Sequence, residues 1–284
     1  MLALIAVVAA AVLFGTTGTS QALGPGETTP LAVGAVRLAI GGTALALVGL
    51  SLGARSRRRA ADPPRWNGRA LSLMAVAGVC LAAYQPLFFL GTERNGVAAG
   101  TVVALGSAPV IAGLIEWALT RRTPSRAWIA ATALALAGVA LLAFGGGPGS
   151  GSDPLGFAGS VGAGASFAVL ANAQRRLMDG GWDPFTVAGA MGGFSAAAGA
   201  CALPFVDLAW MREPSGIAVA LWLGLATIAL AYTLFTWGLE RLTAATAATL
   251  TLAEPLTAGI LGLALLGERL SGLAGDADLS KYIL

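Results

Sequence analysis

Long apolar runs separated by short polar gaps fill the chain. A bilayer core about 30 Å thick takes roughly 20 apolar residues of helix. That ruler marks nine spans, at approximately 2–22, 30–53, 70–91, 97–119, 126–145, 155–176, 184–206, 216–239 and 244–266. The gaps carry turn and helix-start signals: Gly24-Pro25-Gly26, Asp62-Pro63-Pro64, Gly145-Gly146-Gly147-Pro148, Asp153-Pro154, Asp183-Pro184 and Glu213-Pro214. None is long enough to hold a soluble domain. The first run does not read as a cleavable signal, because nothing basic precedes Leu2 and further spans follow at once.

Composition agrees with an integral membrane protein. Of 284 residues, 56% are hydrophobic and 11% charged, where a soluble domain carries about 25% charged residues. The 40 glycines suit close packing between transmembrane helices. Histidine is absent, which excludes Ser-His-Asp and Cys-His catalysis and His-ligated metal. Cys80 and Cys201 lie inside apolar runs, so neither a disulfide framework nor a redox pair is suggested. The glycine-rich stretch 145–151 lacks the Lys-Ser/Thr ending of a phosphate loop. No enzyme activity, cofactor or metal is expected. The expected partners are the bilayer and a small-molecule solute, with no nucleic acid, and the chain is read as monomeric.

The net charge of +3 comes with a pattern. Twelve arginines occupy the gaps after spans two, four, six and eight, six of them between Arg55 and Arg69. The odd-numbered gaps hold only Arg94, Arg212 and Arg269. The positive-inside rule therefore places the even gaps and the amino terminus in the cytoplasm, in a multi-pass protein of the inner (plasma) membrane.

The chain also repeats itself. Residues 88–94 read Phe-Phe-Leu-Gly-Thr-Glu-Arg and residues 235–241 read Phe-Thr-Trp-Gly-Leu-Glu-Arg. A small-residue helix with a central proline follows each, with Ala108-Pro109 in the first and Glu254-Pro255 in the second. Spans two to four thus match spans seven to nine. An offset of five spans inverts the second copy, an arrangement typical of secondary transporters with a midplane site between repeats.

These residues resemble the drug/metabolite transporter superfamily in its EamA-domain branch. The resemblance rests on Thr29-Pro30…Arg37, Gly91-Thr92-Glu93-Arg94, Ala108-Pro109, Glu254-Pro255 and Gly267-Glu268-Arg269-Leu270. Within the branch the general likeness is greatest to YddG-type exporters, which release aromatic and other neutral amino acids. The resemblance implies an all-α fold of two inverted five-helix repeats, at 1–147 and 148–270, working by alternating access around a central cavity. The tenth helix of that fold is not evident: residues 271–284 read as a polar, truncated or appended tail. A multidrug or other metabolite carrier of the same fold is the alternative; an intramembrane enzyme or a channel subunit fits less well.

Polar and aromatic residues within spans are the candidate substrate contacts, since such groups usually face a cavity or another helix. Tyr84, Gln85 and Phe88 in span three should face Tyr232, Thr236 and Trp237 in span eight across the repeat axis. Thr101, Asn172 and Thr246 are further lining candidates. The competing reading for each is ordinary packing. Among intramembrane charges, Glu116 is expected to snorkel or meet Arg121 or Arg122, and Arg37 to pair internally. Glu254 has two readings: a coupling or substrate-ammonium group, or a structural carboxyl serving backbone groups freed by Pro255.

Overall fold

The computed structural model describes residues 1–26, 28–121, 123, 125–144, 153–262 and 264. The protein is an all-helical membrane protein, and the described residues contain no strand. Its helices are α1 (Leu2–Ala22), α2 (Pro30–Arg59), α3 (Gly68–Asn95), α4 (Val97–Thr120), α5 (Arg126–Phe144), α6 (Pro154–Asp179) and α7 (Pro184–Ala202). Then follow α8 (Pro214–Leu221), a π-helical stretch Trp222–Leu230, α9 (Ala231–Leu239), α10 (Ala244–Leu250) and α11 (Ala253–Leu261). Eight of the described segments are long and apolar enough to cross a bilayer, Pro214–Leu239 and Ala244–Leu261 each counting as one. The expected tail at 271–284 lies outside the described residues.

Local chemistry explains the helix starts. Proline is favoured in the first turn, where its missing N–H costs nothing, and a short polar side chain before it captures a free amide. Thr29 Oγ1 accepts from Ala32 N, Asp153 Oδ1 from Leu155 N and Asp183 Oδ1 from Thr186 N, opening α2, α6 and α7. Asn67 caps α3 in the same way without a proline. Between α3 and α4 the single residue Gly96 turns the chain at φ +82°, a conformation that is inexpensive only for glycine.

Two features depart from the sequence reading. α2 continues to Arg59 rather than stopping near 53, so its last turn carries Arg57, Arg58 and Arg59 beyond the apolar stretch. Cations are favourable at a helix C-terminus, which helps that turn persist. Span nine is broken into α10 and α11 at Thr251–Leu252, just before Glu254-Pro255. Proline disfavours helical geometry in the residue before it and removes a donor, so a break one turn upstream has a local cause.

Lipid tails offer little hydrophobic drive for helix association, so small residues set the contacts. α2 runs along α7, with Gly42 against Gly192 and Gly49 against Gly189. α6 lies against α3 and α4: Gly91 meets Ser160, and Gly164 meets Ser107 and Ala104. α1 lies against α9 and α11, where Gly238 meets Ala3 and Val7, and Gly15 meets Glu254 and Thr257. The main core cluster gathers Val7, Phe14, Leu38, Leu81, Phe167, Tyr232 and Phe235 from five helices.

Candidate functional site

At the centre of that cluster, aromatic rings run from one helix set to the other. Tyr84 and Phe88 stack at 6.0 Å and 13°, as their i,i+4 spacing on α3 predicts. Tyr84 meets Phe167 of α6 edge-on at 6.3 Å, and Phe167 meets Phe235 of α9 at 5.4 Å. Phe235 meets Tyr232 at 6.2 Å, and Tyr232 packs on Phe14 of α1 at 5.0 Å. Tyr84, Phe88 and Tyr232 are therefore joined, but through two phenylalanines, Phe167 and Phe235, with Phe14 at the far end, none of them among the predicted contacts. Phe235 and Tyr232 are three residues apart on one helix face. Phe14 precedes the Gly15-Thr16-Thr17 cluster, the one local signal that could have marked it.

A polar pair sits beside the rings. Arg37 Nη1 donates to Gln85 Oε1 at 2.7 Å, joining α2 to α3. A buried amide or guanidinium without a partner is costly, and each supplies what the other lacks. Arg37 so finds an internal partner, as expected. Its Nε is buried with no hydrogen-bond partner in the described structure, leaving part of the donor fork unused. Glu254, Tyr84 and Tyr232 all lie within electrostatic reach of Arg37. Arg37, Tyr84 and Glu254 keep accessible surface, whereas Gln85 and Tyr232 are buried.

The remaining predicted residues are dispersed. Thr236 is fully buried, with its hydroxyl unpartnered among the described residues. Trp237 packs under Arg241 at 5.7 Å, near the end of α9. Thr101 is half-buried on α4. Asn172 Nδ2 donates to Ala168 O at 2.9 Å and to Ala112 O at 3.2 Å, tying α6 to α4. Thr246 belongs to the cap of α10: its N–H donates to Thr243 Oγ1, and the two hydroxyls lie 3.0 Å apart.

Glu116 has a backbone partner that the sequence reading did not name. Its Oε2 accepts from Ala245 N at 3.1 Å, so it caps the start of α10 across the helix interface instead of pairing with Arg121. The unsatisfied amides of a helix N-terminus attract a carboxylate, and this one is within reach. Arg175 treats the other side of the same turn, its Nη1 donating to the carbonyl oxygens of Leu239, Glu240 and Leu242. At the opposite end of α6, Arg94 pairs with Asp153 at 2.8 Å. Asn95 there exchanges hydrogen bonds with the Asp153 backbone at 2.8 and 3.0 Å. The hydrogen bond from Arg94 and the cap amide of Leu155 hold the Asp153 carboxyl below its ordinary pKa. The helix ends thus carry polar ties while the middle carries rings.

A cavity of about 440 Å³ opens between α2, α3 and α7, with Thr29 and Glu93 at its rim and Gln85 in its wall. Of the predicted site residues only Gln85 lines it. The described residues contain no cluster of three His, Cys, Asp or Glu side chains suited to a metal.

Residues 1–144 and 154–274 match the EamA-like transporter family. The chain belongs to that family. It is 42% identical over 266 residues to the Uncharacterized transporter YwfM of Bacillus subtilis (strain 168), a match covering 93% of this chain and 86% of the relative. A solved crystal structure aligns over 99% of this chain and 91% of its own, with a TM-score of 0.71 and 21% identity, a likeness of fold. The protein is accordingly a multi-pass membrane transporter of small molecules, and its family is not an enzyme class.

Proposed function

We propose that this transporter is a secondary carrier that exports small neutral metabolites, foremost amino acids with apolar or aromatic side chains, by alternating access. The observation that carries the reading is the joined aromatic surface of Tyr84, Phe167, Phe235 and Tyr232 with Arg37, Gln85 and Glu254 beside it. Apolar walls accept varied side chains, and a few placed polar groups orient the other end. A zwitterion has one charge for each: its carboxylate for the unused edge of Arg37, its ammonium for Glu254. A phosphorylated solute would need several cations at one place, and among the described residues Arg37 is the one beside the rings.

Packing supports an inverted two-repeat reading, divided at 1–147 and 148–270. Exchanging the halves turns the α3–α6 pair into α9–α1 and the α4–α6 pair into α10 and α11 on α1, while α2–α7 maps onto itself. Gly91 and Gly238, the matching glycines of the repeated motif, each make the close contact with the first helix of the other half. The ties at opposite ends of α6 are then the closures for the two access states. Repeat motions of this kind rock one bundle against the other around a fixed site. The arginine distribution supports an inner-membrane placement with the amino terminus cytoplasmic.

The test is transport by the purified chain in liposomes. Conservative changes at Gln85 and Tyr232 should alter amino-acid counterflow more than equal-sized changes at Leu47, which is 66% exposed on the lipid side. Equal effects at all three positions would remove the site assignment.

A further inference from the structure

Where the arginine-rich turn of α2 meets the start of α7, a second cavity lies far from the aromatic site. It measures about 350 Å³ and is lined by Leu50, Ala54, Arg57, Arg58, Trp66 and Thr186. The Arg57 guanidinium lies 4.8 Å from the Trp182 ring centroid and 5.4 Å from that of Trp66. The two indoles meet edge-on at 4.6 Å. Stacking uses the faces of a guanidinium and leaves its in-plane donors for other partners. Arg57 Nη1 is buried and has no partner in the described structure. The ion pairs among the described residues are Arg94–Asp153 and Arg175–Asp179, so no carboxylate answers Arg57. The nearby Asp183 is already occupied, Oδ1 by Thr186 N and Oδ2 by Thr186 Oγ1. A cation held by two indoles therefore lines the cavity with one buried donor, Nη1, unpartnered.

The approach to this cavity shows what would fill it. Leu47, Leu50, Ala54 and Arg57 follow one another at spacings of three, four and three, the stripe of a single helix face. Leu47 is 66% exposed and Leu50 41%, so the stripe faces the lipid and ends at the cation. An apolar track leading to a basic, aromatic-edged cavity matches an acyl chain below a negatively charged headgroup. Arginine suits phosphate oxygens because its fork can engage two at once. Basic cavities between transmembrane helices are a recurrent form of anionic-lipid recognition.

We propose that the Arg57–Arg58–Trp66 cavity binds the headgroup of an anionic phospholipid, with an acyl chain lying along Leu47, Leu50 and Ala54. This site is separate from the transported solute. It turns part of a basic segment, otherwise a topology signal, into a specific contact. Arg65 lies in the same segment but does not line the cavity, so it reports on diffuse attraction alone.

The full chain in neutral detergent would be titrated with phosphatidylglycerol, with phosphatidylcholine and with inorganic phosphate at matched ionic strength. Thermal unfolding and retained lipid counted by native mass spectrometry are the readouts. Phosphatidylglycerol should raise the melting temperature saturably, with at least one molecule retained, and the other two should not. Arg57→Gln should raise the half-saturating concentration at least tenfold, and Arg65→Gln less than twofold. Should Arg57→Gln fail to fold, Arg58→Gln serves, with at least a threefold rise expected. Equal shifts for the cavity and Arg65 variants would overturn the proposal, as diffuse attraction. So would saturation by inorganic phosphate, which would make the site one for a free anion.

Discussion

Replacing Gly192 by alanine tests whether the α2–α7 seam is set by backbone contact. A β-carbon there would lie 2.8 Å from the Gly42 carbonyl oxygen and 2.9 Å from Leu45 Cβ and Cγ. The reciprocal change at Gly42 meets Gly192 O at 2.7 Å and Ala196 N at 2.8 Å. Ordinary contact begins near 3.4 Å, so the seam must open by roughly 0.6 Å. The Gly42 carbonyl is backbone and Leu45 Cβ is fixed to the backbone, so only Leu45 Cγ can rotate aside. Overpacking typically costs about 1–3 kcal/mol, while alanine in place of helical glycine returns up to about 1 kcal/mol. With rigid neighbours the upper end applies, and a net loss of roughly 1–2 kcal/mol is expected. Gly18 on α1 has nothing within 4 Å of a new β-carbon, so Gly18→Ala should be neutral or stabilise by about 0.4–1 kcal/mol. Reversible unfolding in mixed micelles titrated with a denaturing detergent measures both. The double variant of Gly42 and Gly192 should cost less than the sum, because each change opens the same seam. A Gly192→Ala protein as stable as wild type would refute the reasoning.

Other consequences are equally concrete. Arg175→Met should destabilise by about 1.5–3 kcal/mol, since it strips a charged donor from the carbonyls ending α9, whereas Asp179→Ala, at an exposed i,i+4 pair, should change stability by under about 0.5 kcal/mol in the same unfolding assay. The Asp153 carboxyl, lowered by Arg94 and by the Leu155 amide, contributes stability that is whole above its unfolded pKa of about 3.9 and is lost as pH falls through its lower folded value. Melting curves from pH 6 to pH 3 should therefore fall less steeply for Asp153→Asn than for wild type below about pH 4. Glu254→Gln should raise the KM for a zwitterionic substrate about tenfold while the pH dependence of transport survives, because Arg37 is the charge that faces it and no second acid forms a relay with it among the described residues; loss of all pH dependence in a folded variant would contradict this. Labelling of a Ser56→Cys variant by an impermeant reagent outside intact cells would reverse the proposed orientation; protection is expected.

Much of the fold is legible because the bilayer imposes a single length on apolar helices. Thr29-Pro30, Asp153-Pro154, Asp183-Pro184 and Glu213-Pro214 each open a helix where the sequence places one. What hydropathy misses is anything that keeps it constant. The π-helical turns at Trp222–Leu230 are as apolar as an α-helix, and nothing in the residue pattern announces them. The break at Thr251–Leu252 was signalled by Pro255 but lies within an apolar run. At the site, i,i+4 spacing correctly pairs Tyr84 with Phe88, and the cost of an isolated amide correctly demands a partner for Gln85. That the partner is Arg37, 48 residues away, depends on tertiary packing. Glu116 illustrates the same limit: the sequence suggests snorkelling or a nearby arginine, and only the fold reveals that the Ala245 amide at the start of α10 is within reach.

Counterflow in liposomes containing only the purified chain tests the central claim most directly. Vesicles loaded with unlabelled phenylalanine should accumulate labelled phenylalanine saturably and transiently, with threonine competing and a nucleotide sugar not. Gln85→Leu, which removes the acceptor of Arg37, should abolish the accumulation at equal protein density. Accumulation that never saturates, or that a nucleotide sugar supports as well as phenylalanine, would contradict a central site for neutral zwitterions.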